Sequence, residues 1–195
     1  MNRMSRVSNR SATSRPEARV LAAAVSIVLT IGLVSATQVR RMDLPEVVSL
    51  AGTIVEGRVA RVDSFWEGKQ IFTEVTITVT RAHKGAPGAG LSFRQLGGRV
   101  DSPAPIAMTV PGAPTHRVGD RGFYFVEAHP GSHPTLIGIW AGHAPIRRDD
   151  RGEYLTFNGT RHTPGEFGQR VRLLVIEQQR GAGSDDPSPG RGASE

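Results

Sequence analysis

The sequence predicts a mainly β protein, a small antiparallel β-barrel or alternatively a β-sandwich, with a short N-terminal helix and a C-terminal helix. Three observations carry this. Residues 71–80 alternate apolar and polar with a period of two, which is the pattern of a half-buried strand. Short Ile- and Val-rich runs recur between Gly/Pro turns, as in antiparallel all-β domains. Asp43 and Thr163 each stand three residues before a Glu, in capping-box spacing, and so mark a helix at either end of the domain.

The elements follow in order. Asp43, Leu44, Pro45 and Glu46 start a helix that runs to about Ala51, with Val47, Val48 and Ala51 on one side and Gly52 as its stop. Thr53 to Phe65 reads as a long strand that bends or bulges at Gly57. Glu67, Gly68 and Lys69 turn into the strand Ile71 to Thr80, where Ile71, Thr73, Val75, Ile77 and Val79 share one face. Lys84 and the Gly/Pro run 85–90 lead to a third strand, Leu91 to Leu96. Residues 97–116, with Pro103, Pro105, Pro111 and Pro114, read as one long irregular loop. A turn at Val118, Gly119 and Asp120 opens the strand Gly122 to Glu127, and a return strand is expected over Thr135 to Ala141. Ala144 to Arg148, the turn Asp149 to Gly152, and Glu153 to Phe157 form a hairpin. Phe167, Val171 and Leu174 then give one apolar face of a helix from Thr163 to about Gln179. About seven strands and two helices result, and a five-stranded barrel of the oligonucleotide/oligosaccharide-binding type with an extra hairpin fits them first.

Domain organisation is read from charge and composition. Arg3, Arg6, Arg10, Arg15 and Arg19 precede the uncharged run 20–36, and a small-x-small cleavage pattern ends at Ala36, with Thr37 as the mature N-terminus. Residues 1–36 are therefore expected to be a signal peptide or, if retained, an N-terminal membrane anchor that meets the membrane through residues 20–36. Residues 43–179 form the single domain, and residues 180–195, without a large apolar side chain, read as a disordered tail. The net charge of +6 is concentrated in the leader, and the nearly balanced remainder argues against nucleic acid as a partner. The chain has no cysteine, which excludes disulfides, thiol nucleophiles and zinc ribbons.

Ile54, Val55, Glu56, Gly57, Arg58 and Val59, then Trp66, then Ile71, Phe72 and Thr73 form a succession of strand and turn residues. With Lys84, Gly85, Gly97, Gly98 and the turn Val118, Gly119, Asp120, Arg121, the chain resembles small secreted bacterial proteins whose barrel is like that of the netrin module and the tissue inhibitors of metalloproteases. The resemblance implies an exported barrel. It does not carry over the inhibitors' mechanism, which needs an N-terminal cysteine and disulfides that this chain lacks.

Candidate chemistry is sparse. His129 and His133 have i, i+4 spacing and His143 follows, which would suit a metal or a metal-dependent hydrolase, but Pro130, Gly131 and Pro134 break the helix such a pair needs. No metal, cofactor or catalytic residue is assigned. Asp149 and Asp150 read as turn residues, and Lys84 to Gly90 lacks the ending of a phosphate loop. Arg94 and Arg99 beside Gly97 and Gly98 have the composition of an anion clamp, though solvated strand-edge charge is the simpler account. Trp66 and Trp140 read as core-edge anchors rather than sugar platforms, and Asn158, Gly159 and Thr160 form a glycosylation sequon. The expected function is a non-enzymatic extracytoplasmic binding module for a protein partner, with an envelope oligosaccharide as an alternative ligand. Ile106, Met108 and Val110 alternate within the long loop and are the candidate partner-binding segment, offered as an added strand or folded over the end of the barrel.

Overall fold

The computed structural model describes residues 41–127 and 131–183. The leader with Ala36 and Thr37, His129, and residues 184–195 lie outside the described residues. Among the described residues no helix is long and apolar enough to cross a membrane.

The first helix, α1, spans Leu44–Leu50. The Asp43 carboxylate accepts the Glu46 N–H at 2.8 Å, which satisfies one of the free N–H groups of the first turn. A hairpin of β1 (Thr53–Glu67) and β2 (Gln70–Lys84) follows, turning at Gly68 with φ +61°. The register of β1 shifts at Glu56/Gly57, the expected irregularity. A side chain at Gly57 would stand 2.4 Å from Ile77 Cγ2 and 2.6 Å from the Thr78 carbonyl oxygen, so the close approach of the two strands requires glycine. The strand β3 (Gly90–Leu96) pairs with β2.

The segment 97–116 is not irregular throughout. It contains a small hairpin of β4 (Gly98–Val100) and β5 (Ile106–Met108), formed because Gly97 and Gly98 at φ +97° and +141° turn the chain off β3. Next comes β6 (Arg121–Glu127), which pairs with β1 on one edge. Its other edge is shared, with β7 (Thr135–Leu136) on Val126 and Glu127 and β8 (His143–Asp149) on Arg121 to Tyr124. The return strand expected over Thr135 to Ala141 therefore stops at Leu136. Residues 137–142 coil back, with Gly138 and Ile139 at φ +56° and +62°, until the Gly142 carbonyl resumes pairing by accepting the Phe125 N–H at 2.8 Å.

Then come β9 (Gly152–Phe157) and β10 (Thr160–His162), a strand the sequence reading missed, joined through Asn158 and Gly159 at φ +49° and +81°. The last helix, α2, spans Pro164–Gly183 and so continues past Gln179 into the segment read as tail. Its cap is reciprocal: the Glu166 carboxylate accepts the Thr163 N–H at 3.1 Å, and the Thr163 hydroxyl accepts the Glu166 N–H at 3.3 Å.

The fold is mainly β and antiparallel. One eight-stranded sheet runs β10-β9-β8-β6-β1-β2-β3 with β7 on β6, beside the small β4-β5 sheet. Strand pairing does not close this path into a barrel. The β3 edge reaches the β7 side at one backbone bond, from the Arg94 N–H to the Pro134 carbonyl at 2.8 Å.

Two cores lie on opposite faces of β1 and β6. On one face Ile54, Phe123 and Phe125 pack under α1 and α2 with Val47, Phe167 and Val171. On the other Val55, Tyr124 and Val126 pack with Val75, Ile77, Phe93 and Leu136. Because β6 is buried on both faces, Phe123 to Val126 is continuously apolar or aromatic rather than alternating. Lys84 ties the two helices together, its Nζ donating to the Val48 carbonyl at 2.8 Å and to Gln178 Oε1 at 3.3 Å.

Candidate functional site

The richest chemistry lies where the turn before β6 meets β8. The turn is fixed locally: the Asp120 carboxylate accepts the Arg117 N–H at 2.9 Å, and Gly119 takes φ +96°. Antiparallel pairing then sets Arg121 opposite Ile146 and Tyr124 opposite His143. A cleft of about 720 Å³ opens between these elements, and Arg117, Arg121, Arg147 and Arg148 stand around it.

Two of these arginines are already paired. Arg121 bridges Glu153 at 2.7 Å and the buried Glu56 at 3.3 Å, while Arg148 reaches Glu153 at 3.2 Å. The guanidinium groups of Arg117 and Arg147 have no carboxylate within ion-pair distance among the described residues, and both residues are exposed. The cleft thus holds more positive than negative charge, with two donors uncommitted.

Beneath it lies a cluster of rings. His143 stacks on Tyr124 with centroids 4.9 Å apart, and His116 packs against His143 at 4.8 Å. Among the described residues neither ring nitrogen of His116 has a hydrogen-bond partner, nor does the Tyr124 hydroxyl or His143 Nε2. Burial holds the His116 imidazole down at about 4, against the pull of Asp120. Burial, with His116 and Arg147 nearby, takes His143 to about 3, and burial raises the Tyr124 phenol. At neutral pH the cluster is uncharged and able both to donate and to accept hydrogen bonds. Gly122 makes room for it, since a side chain there would lie 2.9 Å from His143 Nε2.

Two further clefts adjoin. One of about 390 Å³ is lined by Ser64, Thr73, Gly98, Met108 and His116. In its wall Thr73 Oγ1 donates to the Gly97 carbonyl at 2.7 Å and shares a 2.8 Å bond with Ser64. The other, about 650 Å³ and chiefly apolar, is lined by Phe72, Leu96, Val110, Leu136 and Ile139.

The residues singled out in the sequence are dispersed by the fold. His133 lines the apolar cleft and His143 the arginine cleft, so the fold does not present them as one ligand set, and no group of three His, Cys, Asp or Glu residues suited to a metal occurs among the described residues. Arg94 is committed to Glu67 and Glu74 and lies over Phe65, and Arg99 pairs with Asp101, so neither is a free anion clamp. Asp149 accepts from the Arg151 N–H and from Arg161, in keeping with a turn. Trp140 packs at the edge of the helix-side core, whereas Trp66 is 44% exposed and is no core anchor. Asn158 donates from Nδ2 to the Met42 carbonyl at 2.7 Å. Ile106 on β5 is exposed, while Met108 and Val110 are half-buried in cleft walls.

Sequence reasoning missed Arg117, Arg121, Arg147 and Arg148 as one group, and His116, Tyr124 and His143 as another. Only the β6–β8 register brings them together, and no local pattern encodes that pairing. Compared with protein-family models, curated proteins and solved structures, the chain shows no significant match.

Proposed function

We propose that the chain is a non-enzymatic, extracytoplasmic binding module whose ligand presents an anionic group to the arginine cleft. The observation that carries this is the pair of uncommitted guanidinium groups, Arg117 and Arg147, at the rim of a cleft already lined by Arg121 and Arg148. Such groups bind carboxylate, phosphate or sulfate through paired, charge-assisted hydrogen bonds. Export rests on the Arg-rich leader and the Ala36/Thr37 junction.

The barrel of the oligonucleotide/oligosaccharide-binding type, and with it the resemblance to the netrin module, belongs to the same proposal. Its support is the cyclic order β1-β2-β3-β7-β6, in which the Arg94 to Pro134 bond supplies the link from β3 to β7. The core of Val55, Val75, Phe93, Tyr124 and Leu136 takes one residue from each of those five strands.

Titration with inorganic phosphate, sulfate and succinate by NMR tests the ligand class. Shifts of the 117–121 and 143–148 amides that weaken with salt and vanish in Arg117→Ala/Arg147→Ala are expected. Unchanged binding by the double variant overturns the proposal. A protein partner is a second reading, favoured by the exposure of Ile106 on β5, whose outer edge is unpaired. Replacing Ile106, Met108 and Val110 by Ser separates a partner surface from a loop that merely covers the core.

A further inference from the structure

We infer that the three clefts around residues 110–117 act as one track for an anionic amphiphile, a ligand with a charged head, a short polar linker and an apolar tail. The head assignment rests on the proposed anionic function; the linker and tail assignments rest on separate observations. The clefts have common walls. The arginine cleft and the His116 cleft share Pro114 and Thr115, and the His116 cleft and the apolar cleft share Gln95, Leu96, Val110 and Ala113. Along this line the chemistry changes in order, from free guanidinium groups, through mostly neutral polar atoms, to a chiefly apolar wall that also carries Glu67, Arg94 and Glu127.

The middle section is built for a ligand. His116 is only 7% exposed, yet neither of its nitrogens has a partner. Gln95 Oε1 is likewise buried without a donor, although its Nε2 donates to the Pro114 carbonyl at 3.1 Å. Buried polar atoms left open are rare in folded proteins, and an ordered water or a ligand group is what fills them. A neutral imidazole and an amide oxygen together offer one donor and two acceptors, which suits a hydroxyl or amide in the linker.

The far section is built for a tail. Leu96 and Ile139 are 37% and 52% exposed at its rim, above Phe72 and Leu136. Ile139 holds φ +62°, a left-handed conformation that a β-branched residue rarely adopts, and such strain concentrates at binding sites. An extended peptide fits this section less well. It would need backbone partners along β3, where the Arg94 N–H is already given to the Pro134 carbonyl.

The probes are lysophosphatidic acid below its micellar concentration, glycerol 3-phosphate as head alone, dodecyl maltoside as a tail with an uncharged head, and an acidic peptide ending in leucines. Calorimetry is expected to show lysophosphatidic acid binding roughly tenfold or more tighter than any other probe. Arg117→Ala/Arg147→Ala should weaken it. Leu96→Asp/Ile139→Asp, both at exposed positions, should reduce it to the level of glycerol 3-phosphate while leaving glycerol 3-phosphate binding unchanged, with retention of the fold checked by the dispersion of the amide spectrum. If glycerol 3-phosphate binds as tightly as lysophosphatidic acid, the track is wrong and the anionic cleft stands. If dodecyl maltoside matches lysophosphatidic acid and the arginine variant has no effect, the anionic reading is wrong and the track falls with it. Tighter binding of the peptide overturns the amphiphile, and no binding by any probe overturns both.

Discussion

The two cores of this domain share β1 and β6 but treat polar groups differently. On the helix side Phe123, Phe125 and Phe167 meet edge to face, with Phe123 and Phe167 centroids 4.9 Å apart. The polar ring buried there is His83, tilted against Phe123 with centroids 5.3 Å apart and accommodated because residue 168 is glycine. On the strand side Gln95, His116, Tyr124 and His143 contribute five of the seven buried polar atoms that lack partners among the described residues, the other two being the His83 nitrogens, and Gln95, His116 and His143 line clefts. The helix-side face is organised for cohesion. The other leaves more polar atoms open, most of them at cleft walls.

Breaking the helix-side core should have the largest effect. Phe167→Ala removes a fully buried ring that touches Phe123, Phe125 and Phe157, and should lower unfolding free energy by about 3–5 kcal/mol in urea titrations. A loss below about 1 kcal/mol would show that the two faces are equally loose.

Acid should act on both faces. His83 and His116 are held at about 4 and His143 at about 3, all three chiefly by burial, whereas the unfolded imidazoles titrate at 6.5. Arg172 and Arg81 lower His83 further, and Arg147 does the same for His143. Between these values the unfolded chain binds more protons. Stability therefore falls as pH drops below about 6.5, and the histidine contribution levels off only near 3 to 4. His116→Gln/His143→Gln should remove most of that dependence and leave the share of His83, which places the larger part on the strand side. A pH profile identical to the unmodified protein would refute this division.

Smaller effects sharpen the contrast. Thr163→Ala deletes one half of the α2 capping box and should cost about 1 kcal/mol. Tyr124→Phe removes a buried hydroxyl that has no partner, so thermal melting should be unchanged or slightly raised, within about 0.5 kcal/mol. A clear loss would mean that the hydroxyl is satisfied in solution.

What was legible in the sequence is what is decided within a few residues. The two capping boxes and the β1–β2 hairpin with its bend at Gly57 rest on neighbours in the chain, and each could be read there. The hairpin of β9 and β10 was also written locally, in Asn158-Gly159, a pair suited to two successive residues of positive φ, but the same residues were read as a sequon. The loop 137–142 was hidden because Ile137, Ile139 and Trp140 look like strand residues, and only the junction of two partners on one edge of β6 turns them out of it. The arginine cleft was hidden for a related reason. Arg147 and Arg148 read as strand residues and Arg117 as part of a loop, and their charges become one field only after β6 and β8 pair.

The joining of α1 to α2 through Lys84 also orders events in time. The β1–β2 hairpin needs only contiguous chain and forms while little loop entropy is at stake, whereas the helix-side core waits for residues from both ends of the domain. A chain made from its N-terminus presents β1 and β6 before Phe167 and Val171 arrive. Until then that face of Phe123 and Phe125 is only partly covered, by α1. The final helix is therefore the clasp of the domain, and a chain shortened before it would be a sticky intermediate rather than a smaller version of the same protein.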